Sequence, residues 1–247
     1  MKHLILTIAL FFSAMGTMAQ AEFEEGCQFY NQKQYSKAVA IFQKYADEGV
    51  TQGQFNLAIC YEKGNGVPKD YAKAAYWYEK AANQGDATAQ SIIGDFYYDG
   101  TGVTQNYQKA VYWYEKAANQ GYTNAQTNLA NCYFDGTGVE QDYQKAVFWY
   151  EKAANQGYDI AQYNLGNCYY AGRGVQKNQT TAAYWYEKAA TQGYDLAQYN
   201  LAISYHFGRG VAIDYNKALY WYEKAAAQGH KNAQDNLTYL KKELEKK

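Results

Sequence analysis

The apolar positions of the chain fall at helical spacing. From Tyr158 onward, Ala161, Leu165, Cys168 and Tyr169 stand at i, i+4, i+7 and i+8, one stripe of an amphipathic helix. Gly172-Arg173-Gly174-Val175 interrupts that stripe, and glycine is the residue that ends helices and forms tight loops. A second stripe is clearest one segment earlier, where Tyr143, Ala146, Val147, Tyr150, Ala153 and Ala154 stand at i, i+3, i+4, i+7, i+10 and i+11. Asp70, Asn106, Asp142, Asn178 and Asp214 precede the second stripes, each with a side-chain oxygen for the unpaired N–H groups of a first helical turn. Gly85, Gly121, Gly157, Gly193 and Gly229 close them as C-caps. The pattern predicts helix, glycine loop, helix, repeated.

The repetition is strict. Trp77, Trp113, Trp149, Trp185 and Trp221 are 36 residues apart at every step, and Tyr61, Tyr97, Tyr133, Tyr169 and Tyr205 keep the same period. So do the glycine pairs from Gly64/Gly66 to Gly208/Gly210 and the valines that follow them. An all-α, α/α superhelical solenoid of about six helix pairs follows, in which each unit buries its faces against its neighbours. Five full units occupy residues 51–230. Ahead of them, Tyr35, Lys37, Ala38 and Gly49 hold the register, but Gly26–Gln34 lacks the Gly-x-Gly loop, so residues 22–50 form a shorter helix pair. After them, residues 231–247 start another first helix at Ala233–Leu237 and run into Lys241–Lys247, a polar capping helix. In one unit Gln179 and Thr181 replace the expected tyrosine and lysine.

The beginning of the chain has a different grammar. Lys2 and His3 precede Leu4–Phe12, apolar except for Thr7 and too short to cross a bilayer. Thr17-Met18-Ala19 and Ala19-Gln20-Ala21 both fit a small-x-small cleavage site. The reading is a signal peptide over residues 1–21, a mature chain starting at Gln20 or Glu22, and a periplasmic or secreted location. The competing reading is a buried N-terminal helix. No cysteine directly follows the apolar run, which argues against a lipid anchor, and no later segment suggests membrane insertion.

Composition narrows the chemistry. Hydrophobic residues make up 48% and charged residues 19%, enough apolar content for a packed core. The net charge of −1 argues against a nucleic-acid or anionic-membrane partner, both of which call for a basic face. With only three histidines, His3, His206 and His230, most metal and acid–base constellations built on histidine clusters are excluded. Cys60, Cys132 and Cys168 share one repeat position with Phe96 and Ser204, so that position packs. Equivalent residues of stacked repeats lie roughly 10 Å apart, beyond the reach of a disulfide; the cysteines read as structural free thiols. A Cys168–His206 catalytic pair would join non-equivalent positions of adjacent units, and a core cysteine beside a surface histidine is the simpler reading. The Gly-x-Gly loops join helices and lack a following Gly-Lys-Ser/Thr, so they are no phosphate cradle. The expectation is no catalytic, cofactor-binding or metal-binding residue. Clusters such as Tyr112-Trp113-Tyr114 suggest either a carbohydrate platform or core packing, and their recurrence at core spacing favours packing.

The run Ala125–Tyr133, then Gly136-Thr137-Gly138-Val139, Asp142–Ala146, Trp149-Tyr150 and Lys152-Ala153-Ala154, resembles the Sel-one-like repeat, a relative of the tetratricopeptide repeat with a longer glycine loop. The resemblance covers most of residues 51–240, while residues 22–50 look more like a tetratricopeptide unit. It implies an adaptor that binds a protein or peptide partner along a concave groove. A cysteine-rich branch of that family has paired cysteines that bridge the end of one unit to the start of the next and is linked to penicillin binding and weak β-lactamase activity. Here Ala118 and Ala125 stand at those places, so that hydrolase is kept only as an alternative, beside a cell-wall glycan-binding module. The resemblance places Leu129 and Tyr133 in the core. It therefore points Asp95, Asn131 and Asn167 into the groove, with Tyr98, Phe134 and Tyr170 alongside and Tyr163 and Tyr199 one turn earlier. Asparagine both donates and accepts, so such a row can pair with an extended peptide backbone. No lysine stands beside these asparagines, which favours an internal segment over a free C-terminus. The alternative is that all are ordinary solvated positions. On the groove reading, truncating Asn131, Asn167 and Tyr170 to alanine leaves the fold intact.

Overall fold

A computed structural model of the chain describes residues 17–245, so the apolar stretch Leu4–Phe12 of the expected signal peptide lies outside the described residues. Those residues form thirteen helices and no strand. They are α1 (Thr17–Asn31), α2 (Tyr35–Asp47), α3 (Thr51–Lys63), α4 (Tyr71–Asn83), α5 (Ala87–Asp99), α6 (Tyr107–Asn119), α7 (Thr123–Asp135), α8 (Tyr143–Asn155), α9 (Asp159–Ala171), α10 (Gln179–Thr191), α11 (Asp195–Phe207), α12 (Tyr215–Ala227) and α13 (Lys231–Leu244). The chain divides into two compact units, one ending at Ala117 and one beginning at Ala118. In the first unit the helices from α1 to α5 pack each on the next in sequence, and in the second unit those from α7 to α13 do the same.

Each helix forms where its stripe and caps require. Asp70, Asn106, Asp142, Asn178 and Asp214 accept first-turn backbone N–H groups, with the N–H of the third following residue at 2.9–3.0 Å. First helices end on a left-handed glycine, as at Gly172, whose N–H returns to the Cys168 carbonyl. The buried stripe is the expected one: Ala161, Leu165 and Cys168 on α9, and Ala146, Val147, Tyr150, Ala153 and Ala154 on α8, lie in one cluster. Alanine recurs because it lets successive helices approach closely, and each repeat then inserts a single large aliphatic residue at one position (Leu57, Ile93, Leu129, Leu165, Leu201), all 1% exposed or less.

Two devices join one repeat to the next. In four of the loops the second glycine, Gly66, Gly102, Gly174 or Gly210, lies against the start of the preceding second helix. A Cβ on Gly174 would stand 2.1 Å from the Tyr143 carbonyl oxygen, and one on Gly102 would stand 2.2 Å from that of Tyr71. The space as well as the positive φ therefore demands glycine there. Gly157, by contrast, has φ +90° and open space around it.

The other device is a buried glutamine near the start of each first helix. Gln162 donates to the Ala154 carbonyl at 3.1 Å and accepts from Gln192 at 2.9 Å, and Gln192 also donates to the Gly157 carbonyl at 2.9 Å. The same bonds recur around Gln126 and Gln198 in the second unit and, from Gln84 to Gln54 and Gly49, in the first. They satisfy carbonyls at helix C-termini that have no partner within the helix.

The ends use other means. In α1, which begins at Thr17 and so ahead of Glu22, Phe23 and Cys27 pack on Phe42 and Tyr45. The Tyr45 hydroxyl donates to the Ala19 carbonyl at 2.7 Å and to Glu22 at 3.0 Å. At the other end, α13 turns Ala233 and Leu240 into the last core, with Leu237 and Leu244 partly buried beside them. The His230 side chain caps it, accepting from the Ala233 N–H at 3.3 Å. All four cysteines are buried and free.

Two outcomes follow for stability. Gly157→Ala meets only the cost of a left-handed alanine, about 1–2 kcal/mol. Gly174→Ala adds a backbone clash and should cost about 3 kcal/mol or more, a difference that urea unfolding of the two variants measures. Leu129→Ala, at a fully buried position, should cost about 2–5 kcal/mol. Reductant should leave the melting temperature of the wild-type chain unchanged, because no disulfide is present to break.

Candidate functional site

The expected groove residues lie on first helices, Tyr163 and Tyr199 in the first half and the others in the second, and the buried tyrosine of the following second helix organises the Asp and Asn positions. In the second unit, Tyr150 on α8 is 3% exposed and its hydroxyl donates to Asn131 Oδ1 at 2.5 Å. Tyr186 on α10 does the same to Asn167 Oδ1 at 2.8 Å. In the first unit the Tyr114 hydroxyl donates to Asp95 Oδ1 at 2.7 Å. Burial pushes the Tyr150 and Tyr186 phenols far up, so each remains a donor that needs an acceptor.

Repeats with isoleucine at the asparagine position find the acceptor three residues later. Glu62 Oε2 accepts from Tyr78 at 2.6 Å in the unit holding Ile59, and His206 Nδ1 lies 3.3 Å from the Tyr222 hydroxyl in the unit holding Ile203. Burial lowers the His206 pKa, which favours the neutral ring that can accept. The later position is released for an aromatic ring only where the earlier one carries the acceptor: Tyr98 beside Asp95, Phe134 beside Asn131, Tyr170 beside Asn167.

The two asparagines are joined across repeats as well. Asn164 Nδ2 reaches Asn131 Oδ1, and Asn200 Nδ2 reaches Asn167 Oδ1, each at 3.5 Å. The first helices α7, α9 and α11 are thus side-by-side neighbours, and both carbonyl oxygens are occupied from within. Among the described residues, the Nδ2 groups of Asn131 and Asn167 meet no acceptor, so each asparagine offers donors and not the donor–acceptor pair expected from its residue type. The expectation that alanine is harmless here is corrected on the same ground. It would strand a buried phenol, at about 1–3 kcal/mol each.

The rings differ in exposure. Tyr170 is 36% exposed. Phe134 is half-buried, edge-on to Tyr143 with ring centres 5.1 Å apart, and in the first unit Tyr98 meets Tyr107 in the same way at 5.1 Å. Tyr163 and Tyr199 seat the next repeat: Tyr163 packs on Tyr194 at 5.2 Å, and Tyr199 stacks on His230 at 4.5 Å while accepting from Asn236 at 3.2 Å. Two residues that the pattern reading passed over complete the edge. Arg173 lies over Phe134 at 5.4 Å, and Arg209 donates to the Tyr170 hydroxyl at 3.0 Å. The signal was present, since both stand between the glycines of a loop.

Other candidate chemistry is placed apart. Burial pushes the Cys60 and Cys132 thiols up to about 12 and the Cys27 and Cys168 thiols up to about 11. His206 bonds to Tyr222. Among the described residues no cluster of three or more His, Cys, Asp or Glu side chains is set to hold a metal ion, and no helix is long and apolar enough to cross a membrane. In the triad Tyr112-Trp113-Tyr114, Trp113 and Tyr114 are buried and Tyr112 is 51% exposed beneath Lys116.

Comparison with known proteins agrees with this architecture. A crystal structure of a protective antigen of uropathogenic Escherichia coli strains, displaying an SLR fold, superposes with a TM-score of 0.87 at 38% identity over 90% of this chain. The match covers 48% of that protein, so this chain spans about half its length. A Sel1 repeat protein from Oxalobacter formigenes gives a TM-score of 0.80 at 34% identity, covering 87% of this chain and 86% of the other. A search of curated proteins gave no match. The Sel1 repeat model matches five consecutive segments, 51–86, 87–122, 123–158, 159–194 and 195–230. The chain therefore belongs to the Sel1 repeat family, whose members generally serve as protein–protein interaction scaffolds.

Proposed function

We propose that the protein is an exported scaffold that holds an extended internal segment of a protein partner along the first helices of the unit beginning at Ala118. The observation that carries this reading is the pair of unpartnered amide donors, Asn131 Nδ2 and Asn167 Nδ2, with Phe134 and Tyr170 one helical turn further on. The donors suit backbone carbonyls of an extended chain and the rings suit its side chains. Both asparagines are fixed by phenol bonds, so little side-chain freedom is lost on binding. In the first unit Asp95 and Tyr98 keep the phenol acceptor and the ring without an amide donor, and Tyr163 and Tyr199 contribute ring edges. The buried, protonated thiols give the alternative hydrolase no activated nucleophile.

Export is part of the same proposal. Cleavage after Ala19 or Ala21 would remove the first residues of α1 and the Ala19 carbonyl that Tyr45 uses. Glu22 still accepts from Tyr45. Its carboxyl is held below the usual range by the hydrogen bonds from Lys44 and Tyr45.

N-terminal sequencing of the native protein should begin at Gln20 or Glu22, and a native chain beginning at Met1 would refute export. For the groove, aspartate is the informative substitution, since Asp95 already shows that a carboxylate accepts the phenol bond. The triple change Asn131→Asp, Asn167→Asp and Tyr170→Ala removes the donors and one ring but retains both acceptors. Helicity and melting should stay near wild type while capture of the native partner weakens about tenfold or more, a loss of about 1.4 kcal/mol. Undiminished capture by this folded variant would refute the groove assignment.

A further inference from the structure

The chain contains two arginines among its 23 basic residues, and both occupy the centre of a Gly-x-Gly loop, in consecutive repeats. The other loops place Asn65, Thr101 and Thr137 there. Arg173 lies over the rings of Phe134 and Tyr143, at 5.4 and 5.9 Å. Arg209 lies over Tyr170 and Phe207, at 5.9 and 5.2 Å, and gives one N–H to the Tyr170 hydroxyl. Arg209 is half-buried and Arg173 is exposed. Among the described residues neither pairs with a carboxylate, while the ion pairs that do form use lysine. A guanidinium resting on a ring keeps a planar fork of N–H donors, the geometry that matches a carboxylate with two parallel bonds.

We propose that Arg173 and Arg209 form a paired acid-recognition edge that selects a partner segment carrying two carboxylates three residues apart in an extended, polyproline-II-like conformation. This rests on the groove reading above and specifies its ligand. The spacing carries the choice. Asn200 Nδ2 reaches Asn167 Oδ1, so the first helices of these repeats are direct neighbours, and equivalent positions on them stand roughly 10 Å apart. A polyproline-II helix has three residues per turn and rises about 3.1 Å per residue, so side chains at i and i+3 leave the same side about 9 Å apart. A β-strand puts same-side residues about 7 or about 13 Å apart and fits less well. The rings of Phe134 and Tyr170 beside the arginines are the kind of surface on which such a segment docks. A long polyanion is disfavoured, since the rest of the chain brings the net charge to −1.

The test uses the purified full chain and a fluorescein-labelled peptide, Pro-Pro-Glu-Pro-Pro-Glu-Pro-Pro, followed by anisotropy. Comparison peptides place the two glutamates adjacent, five residues apart, or replace both by glutamine, and heparin serves as the polyanion. The i, i+3 peptide should bind about tenfold more tightly than each comparison peptide. Arg173→Gln or Arg209→Gln should each weaken it about tenfold and the double change about a hundredfold, with circular dichroism and melting unchanged. The proposal is overturned by equal affinity for all spacings, by indifference to both arginine changes in folded protein, by no binding up to about 1 mM, or by heparin binding more tightly through the same arginines. Native partner capture that survives the double arginine change but fails in the Asn131/Asn167/Tyr170 variant would overturn this inference and leave the groove reading standing.

Discussion

A buried side-chain amide must find partners for its carbonyl and its NH2 group, and the glutamine near the start of each first helix finds them only in other helices. Gln162 takes a carbonyl at the end of α8 and receives the amide of Gln192 beyond the end of α10. Because hydrogen bonds are directional and leaving such a group unpaired costs about 1–3 kcal/mol, the rotation of α9 against both second helices is set at one residue. Everything further along α9 inherits that rotation. Leu165 enters the core, Asn167 meets Tyr186, and Tyr170 emerges beside the next loop.

The phenol hydrogen bond passes that order to the surface. A deeply buried tyrosine demands an acceptor, and two first-helix positions can supply it. The aspartate or asparagine solution frees the later position for a ring; the glutamate or histidine solution occupies it and leaves isoleucine at the earlier one. The surface chemistry of each repeat is thereby a choice between two internally consistent sets. The aromatic edge at Phe134 and Tyr170 exists because Asn131 and Asn167 serve the core as well as the groove.

The fold was legible in the residues because each helix boundary has a local cause. The capping Asp and Asn residues, the left-handed glycines and the 36-residue tryptophan period are chemical requirements of one element or of its immediate neighbour. The site was legible only in part. Residue type announces Asn131 as donor and acceptor, but its acceptor is consumed by Tyr150 and Asn164, a pairing that depends on helix rotation and not on any spacing along the chain. Tyr199 reads along the chain only as groove surface, yet its ring also seats His230 and its hydroxyl accepts from Asn236. Gly174 looked like an ordinary loop glycine, yet its requirement comes from the Tyr143 carbonyl, thirty-one residues earlier. Arg173 and Arg209 escaped notice because a helix-period reading attends to stripes, and these two stand in the gaps between them.

The bonds between repeats share one further property. Gln192 reaches back 30 and 35 residues, Asn200 reaches back 33, and Arg209 reaches back 39. None of these spans more than about one period, so the mean sequence separation of contacts does not grow as repeats are added. Chains with such low contact order form their structure quickly and with little loop-closure entropy to overcome at any step. An array of this kind can begin folding at any interior pair and extend by one neighbour at a time. It can also gain or lose a whole period by gene duplication or deletion without breaking a long-range contact, so length is the property that such a scaffold can vary most freely.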